Sequence, residues 1–523
     1  MKHLGTVRRW LAIVLAAGLV LAGCGSDDGS GSDSSASDTA SDGQGQGTPT
    51  ERFRWGYATG SSGLDPLRVT STFEIAFLNP MYDTLIRRTP AGDLEPMIAD
   101  SWSLSDDGMQ LTLEIADGRT FHDGTPIDAE AVVANLERAR SEDSVVASQL
   151  ALVESIRAVD EATVELSLTE PGGALPGVLA DQPGMMVSPA SFEGGTMPEL
   201  PAGSGPFRAV SFSEAEVRYD RWEEYVHADQ IRLAGIDIVI QRDDTARLAS
   251  VRSGETDATH IRTNQLAEAE AGGLSVDRAQ RTQFYGLHIT SDRPEFADAE
   301  VRRALMHAID RESIDVNLYD SMCAPSVQYF PSHFFAHDPS IDFDEYGEFD
   351  LDEAKDLLAA AGYADGFSVE ITTPNITTYS RLAEVLQAQF GELGLNAEIN
   401  VVESTELSKV RREGTTDLVV APIDAGRPDP TEFYRGNFTV GGATNAAGFE
   451  IEGLDDLLLE ANKTVEPQDR QEILHEVARS ILDFGTPLIP VCIPDTVVAF
   501  SEDVSNLVIP VLGNWDFREV VVG

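Results

Sequence analysis

The sequence predicts an α/β chain of more than one domain, and three observations carry that expectation. Alternating strand patterns and amphipathic helix patterns follow one another along the chain. The 473 residues after position 50 exceed a single hydrophobic core and suggest about three domains. Hydrophobic residues make up 42% of the chain, and the charges are spread among them rather than gathered in a tail, as on a solvated acidic surface.

The chain opens with Lys2, Arg8 and Arg9, then an apolar run from Trp10 to Val20, the layout of a secretory signal over residues 1–23. The run is too short to span a bilayer. Leu21, Ala22, Gly23 and Cys24 resemble the bacterial lipobox, which implies a diacylglyceryl group on Cys24 as the first mature residue. The alternative is a signal cut at small residues, with Cys24 incidental. Two acyl chains supply stable anchoring, so an extracytoplasmic protein held to the cell membrane is expected. Residues 24–50 form an acidic Gly/Ser/Asp stretch with no aromatic residue, which cannot offset its ordering entropy and reads as a disordered tether. Its root-mean-square reach is roughly 25–30 Å.

The formal net charge is −51, and loss of Lys2, Arg8 and Arg9 with the leader takes it to −54. That argues against nucleic acid as a partner and against direct adhesion to anionic lipid. Cys323 and Cys492 remain in an oxidising compartment. Parity allows a disulfide between them, and two free thiols are the alternative.

From Glu51, FRWGY is a short strand, followed by LDP at Leu64–Pro66, MYDTLIR from Met81 and GDLEPMIADSW from Gly92. LTLEI from Leu111 alternates as a half-buried strand does. In FHDGTPIDAEAVVANLERA, Pro126 and Asp128 precede a helix with Ala131, Val132 and Leu136 on its apolar face, and His122 before it reads as a structural hydrogen-bonder. TVELSL from Thr163 is another strand, and GSGPFRAV from Gly203 turns into a further one. RLASVRSGETDATHI from Arg247 predicts a helix, a glycine stop and a strand. Residues 294–314 predict one helix whose Val301, Leu305, Ala308 and Ile309 make an apolar stripe. In FDLDEAKDLLAAAGY, Asp350 and Glu353 have capping-box spacing and Gly362 ends the helix.

These segments, in this order and together with GFEIEGLDDLLLEA near the end, resemble the extracellular solute-binding proteins of ABC importers, family 5, the peptide and nickel group. The resemblance covers residues 53–520. It implies a two-lobe, periplasmic-binding-protein-like (type II) α/β fold with mixed sheets and an additional domain on the first lobe. Carried onto this chain, lobe I is 51–90, 201–294 and 495–523, the additional domain 91–200, and lobe II 295–494.

The resemblance implies a lipid-anchored receptor that captures an oligopeptide or similar extended solute in an interlobe cleft and delivers it to membrane permease subunits. It works as a monomer, without cofactor or catalysis. The alternative is a surface sensor or interaction lipoprotein of the same fold with a non-peptide, oligosaccharide-like ligand. Family positions point to Thr70, Ser71 and Thr72 after LDP, Tyr285 and His288 near the first crossing between lobes, the strand exit Ile423, Asp424, Arg427 and Asp429, then Asn445, and Cys492 and Ile493 near the second crossing. Peptide-binding relatives carry tryptophan where Ile423 stands and, where Gly426 stands, an aspartate that holds the peptide amino group. An unpaired ammonium in a closed cleft is costly, so Asp424 or Asp429 would have to substitute.

Asp342, Asp344, Gly347 and Glu353 fall at calcium-loop spacing, but Tyr346 occupies an oxygen-ligand position and no helix precedes it. His333 and His337 lie between Pro331 and Pro339 in a loop, so no metal is expected. GxSxG, HExxH, phosphate-loop and CxxC signatures are absent from the sequence.

Overall fold

The computed structural model describes residues 49–464 and 466–523. The leader, Cys24 and the tether apart from Pro49 and Thr50 lie outside the described residues.

A 12-stranded sheet runs through the body and has two halves. In the first, Arg52–Tyr57 lies parallel to Gly235–Ile240 and to Ala258–Ile261. Glu216–Arg221 and Phe207–Phe212 extend that half antiparallel. In the second, Ser368–Pro374 lies parallel to Asn396–Val402 and Leu418–Asp424, and Gln283–Ile289 pairs antiparallel with the last of these. Leu488–Phe500 joins the halves. Its start pairs with Gln283–Ile289 and Cys323–Pro325, and its end with Ala258–Ile261 and Ser275–Gln280. That strand reads LIPVCIPDTVVAF, a nearly unbroken apolar run suited to burial on both faces.

The chain therefore crosses between halves at Arg281–Thr282 and returns at Pro494–Asp495. Gln283–Ile289 belongs by hydrogen bonding with the second half, earlier than the expected change at 294. Beside the crossing, a cavity of about 890 Å³ is lined from the first half by Thr89, Arg278 and Val508 and from the second by Asp315, Met322 and His333. Cys323 and Cys492, on paired strands, form a disulfide with Cα atoms 5.2 Å apart.

Phe53, Trp55, Trp515 and Phe517 centre the core of the first half, while helices pack on both faces of the second. A separate four-stranded sheet, Ala99–Leu104, Gln110–Ile115, Thr163–Leu168 and Val153–Ala158, builds the additional domain with the helix Ala129–Ala139. Val164, Leu166 and Leu168 face its core, as alternation requires. Asp128 caps the helix by accepting from the Ala131 amide at 2.8 Å.

The expected helix 294–314 is three helices, Pro294–Ala297, Ala299–His307 and Arg311–Leu318. Its apolar stripe is buried as expected, but Asp298 and Asp310 each cap a new helix and divide the run. Only half of the capping box at Asp350 forms. The Asp350 side chain accepts from the Glu353 amide at 2.9 Å, whereas the Asp350 amide donates to the carbonyl of His307 at 3.0 Å.

Candidate functional site

In open α/β sheets ligands gather at the carboxyl ends of parallel strands. Here both parallel sets aim those ends at the crossing. Tyr57 and Ile261 end strands of the first half and Asp424 ends one of the second.

Three tyrosines of the second half form an aromatic wall there. The ring of Tyr285 lies 5.4 Å from that of Tyr319 and 5.3 Å, edge-on, from that of Tyr379. Burial raises the hydroxyl pKa of all three, so the wall is neutral at physiological pH. Arg262, just beyond Ala258–Ile261 in the first half, lies within charge range of Tyr285 and Tyr379 and is ion-paired with Asp244. Asp424 is exposed, and its Oδ1 accepts from Gln283 Nε2 at 3.2 Å. Arg281 sits between these groups and Tyr57, within charge range of Asp424. The Tyr57 hydroxyl donates to the carbonyl of Phe73 at 2.9 Å, bringing the 70–73 segment to the same place. Ser71 caps the short helix Thr72–Phe77, Thr70 is exposed, and the Phe73 side chain is 57% exposed.

Other expected site residues are committed elsewhere. His288 falls on the opposite strand face from Tyr285, buried, with Arg411 Nε donating to its Nδ1 at 3.4 Å. Ile423 is buried in the apolar cluster with Phe284 and Phe433, and Ile493 joins the same cluster. Cys492 is fully buried in its disulfide. Arg427 is clamped to Asp181 of the additional domain, with Nε donating to Oδ2 at 2.7 Å. Asp429 caps the helix Pro430–Phe438 and pairs with Arg470 at 2.6 Å. Asn445 spends its amide on the Thr439 and Phe449 carbonyls and the Phe449 amide, stapling its own loop. Of the two aspartates considered as substitutes, Asp424 alone keeps an open carboxylate. A side chain at Gly426 would run into Leu512 and Thr282, so this loop has no room for the aspartate of peptide-binding relatives.

Arg281, Arg262, Tyr319 and Tyr379 escaped sequence reasoning. Arg281 carried a weak signal as a cation in the break between two strand patterns. The tyrosines carried none, since each lies in or beside a helix distant in sequence.

The clamp has a measurable consequence. Arg427→Ala leaves the Asp181 carboxylate half-buried and unpaired, so the urea midpoint should fall by an amount worth roughly 1–3 kcal/mol. An unchanged midpoint would mean that the clamp contributes nothing to stability.

Three histidines set the acid behaviour: His122, His288 and His260, the last pushed down to about 3 by burial and by the Arg281 and Arg247 charges. His122 Nδ1 accepts from the Gly203 amide at 3.1 Å and its Nε2 meets the Gly205 carbonyl at 2.9 Å, so the ring is the structural hydrogen-bonder expected. Burial pushes its pKa down from 6.5 to about 4, and burial together with the Arg411 charge lowers His288 well below its ordinary value. Below pH 6.5 the unfolded chain binds protons that the folded chain refuses, so stability rises with pH in this window and is lost as pH falls. Each ring should remove about 1.4 kcal/mol per pH unit below that point. Urea midpoints at pH 7.5, 5.5 and 4.5 check this, and His122→Gln should flatten the slope.

Residues 93–445 match the sequence profile of bacterial extracellular solute-binding proteins, family 5 Middle. The chain belongs to that family. It is a solute-binding protein of the ABC-importer kind, from an extracytoplasmic family that takes up small-molecule or peptide ligands and works with ABC permeases. The glutathione-binding protein GsiB of Escherichia coli strain K12 is 25% identical over 481 residues, covering 85% of this chain and 89% of that protein. Among solved structures, HbpA2 from Haemophilus parasuis superposes with a TM-score of 0.81 at 22% identity, covering 90% of this chain and all of that one. DppA from Helicobacter pylori in complex with the peptide STSA gives 0.73 at 22% identity, covering 90% and 98%. The fold is thus that of the type II periplasmic binding proteins, with mixed α/β sheets. Among the described residues no helix is long and apolar enough to cross a membrane.

Proposed function

We propose that this family-5 protein is a lipid-anchored receptor that captures an oligopeptide or similarly extended solute between its two halves and presents it to an ABC permease. The observation that carries the reading is the convergence of both parallel-strand sets on one crossing, where Asp424 and the Tyr285, Tyr319 and Tyr379 wall stand together. Asp424 receives the cationic end of the solute and the tyrosine rings cover its apolar surface. The chemistry is capture and release, without covalent change. Closure about Arg281–Thr282 and Pro494–Asp495 encloses the solute, and the relative position of the halves reports occupancy. Family relatives named for glutathione and peptide binding support a peptide-like cargo.

The anchor follows from the signal and the Leu21–Cys24 lipobox, with the 24–50 stretch as tether. Tethering raises the receptor's effective concentration at the permease. Mass spectrometry tests both parts on protein purified from membranes. The expected results are a diacylated Cys24 at the N-terminus and a peptide-like solute released on mild denaturation. An unmodified Cys24 removes the anchor. Turnover of candidate peptides by the purified chain would replace capture with hydrolysis.

A further inference from the structure

Enclosed arginines in this chain spend their guanidinium groups on acceptors. Arg302 donates to the carbonyls of Phe296 and Phe484 at 2.8 and 2.6 Å, and Arg311 to those of Met306 and Pro490 at 2.9 and 3.1 Å. Arg427 and Arg470 are paired with Asp181 and Asp429. Arg281 differs. Its Nε is sealed from solvent without a partner, and no side-chain hydrogen bond joins it to a described residue. Asp424 is close enough to act on its charge but makes no ion pair with it. The backbone of Gly513, in the left-handed region at φ +74°, lies against the guanidinium, and a side chain there would occupy its place. A sealed donor without an acceptor is costly unless another group satisfies it, and the half-buried guanidinium that carries this one stands where both halves meet.

We propose that Arg281 receives a carboxylate of the solute, so that the cargo is an acidic or zwitterionic molecule. The inference rests on solute capture at the crossing and narrows it to a ligand class. The guanidinium presents a planar fork that matches a carboxylate with two parallel hydrogen bonds. Asp424 nearby and a formal net charge of −51 disfavour a doubly charged phosphate, whereas a single carboxylate leaves Asp424 free for an ammonium at the other end of the solute.

The test uses the full chain and matched solutes that differ only at the carboxylate. The probes are trialanine and its C-terminal amide, glutathione and its diamide, and digalacturonic acid and neutral digalactose, titrated by calorimetry. Wild-type protein should bind at least one acid form about 10- to 100-fold more tightly than its neutral partner. Arg281→Gln should abolish that preference, and Arg281→Lys should keep part of it. Equal binding of acid and neutral forms, or a preference that survives Arg281→Gln, overturns the carboxylate subsite and leaves solute capture standing. Binding of no member overturns both. The wild-type comparison needs no variant, so poor folding of Arg281→Gln does not rescue the proposal.

Discussion

Replacing Cys323 and Cys492 together by alanine is expected to destabilise the folded body by about 5 kcal/mol, taking the loop-closure entropy as the dominant effect. The disulfide spans 169 residues, most of the second half, and so removes many conformations from the unfolded chain. Both cysteines are fully buried, one on the strand that joins the halves, so their removal also leaves space in the core. Urea unfolding of the double variant against wild type measures the loss, and wild type unfolded with a reductant should follow the variant. A difference below about 1 kcal/mol would show that folded-state packing, not the cross-link, holds the second half together.

Asp429→Ala should cost about 3–5 kcal/mol, the usual result of removing one partner from a buried ion pair. The carboxylate accepts from the Thr431 amide at 2.9 Å, the Thr431 hydroxyl at 2.8 Å and Arg470 Nη2 at 2.6 Å. Burial alone would raise its pKa, but the Arg470 charge and these hydrogen bonds outweigh it and hold the group below the ordinary 3.8. The folded state then binds fewer protons than the unfolded one near that value, so this stabilisation is present above pH 3.8 and lost as pH falls below it. Alanine leaves Arg470 enclosed without its counter-charge and the helix Pro430–Phe438 without its cap. Solute affinity of the protein that stays folded should be unchanged. A loss of affinity at normal stability would return Asp429 to the ligand site.

The two substitutions bear on what could be read before folding. Arg52–Tyr57, Thr163–Leu168 and the helix Ala129–Ala139 lie where alternation and the Asp128 cap place them, because those signals act within a few residues. The helix, glycine and strand run from Arg247 likewise appears as Asp244–Ser253, Gly254 and Ala258–Ile261. The break at Asp298 and Asp310 was harder to read, since an aspartate inside a helical pattern is either a tolerated polar residue or a new cap.

By itself the sequence determined the alternation of strands and helices, their caps and stops, and the family, each encoded by neighbours along the chain. Tertiary structure alone decided which polar groups are spent. Arg427 finds Asp181 across 246 positions and Asp429 finds Arg470 across 41, while the Nε of Arg281 is sealed without a described acceptor. Charge pairing falls off over a few ångströms of space, whatever the distance in sequence, so only the fold separates a structural ion pair from a group left for a ligand.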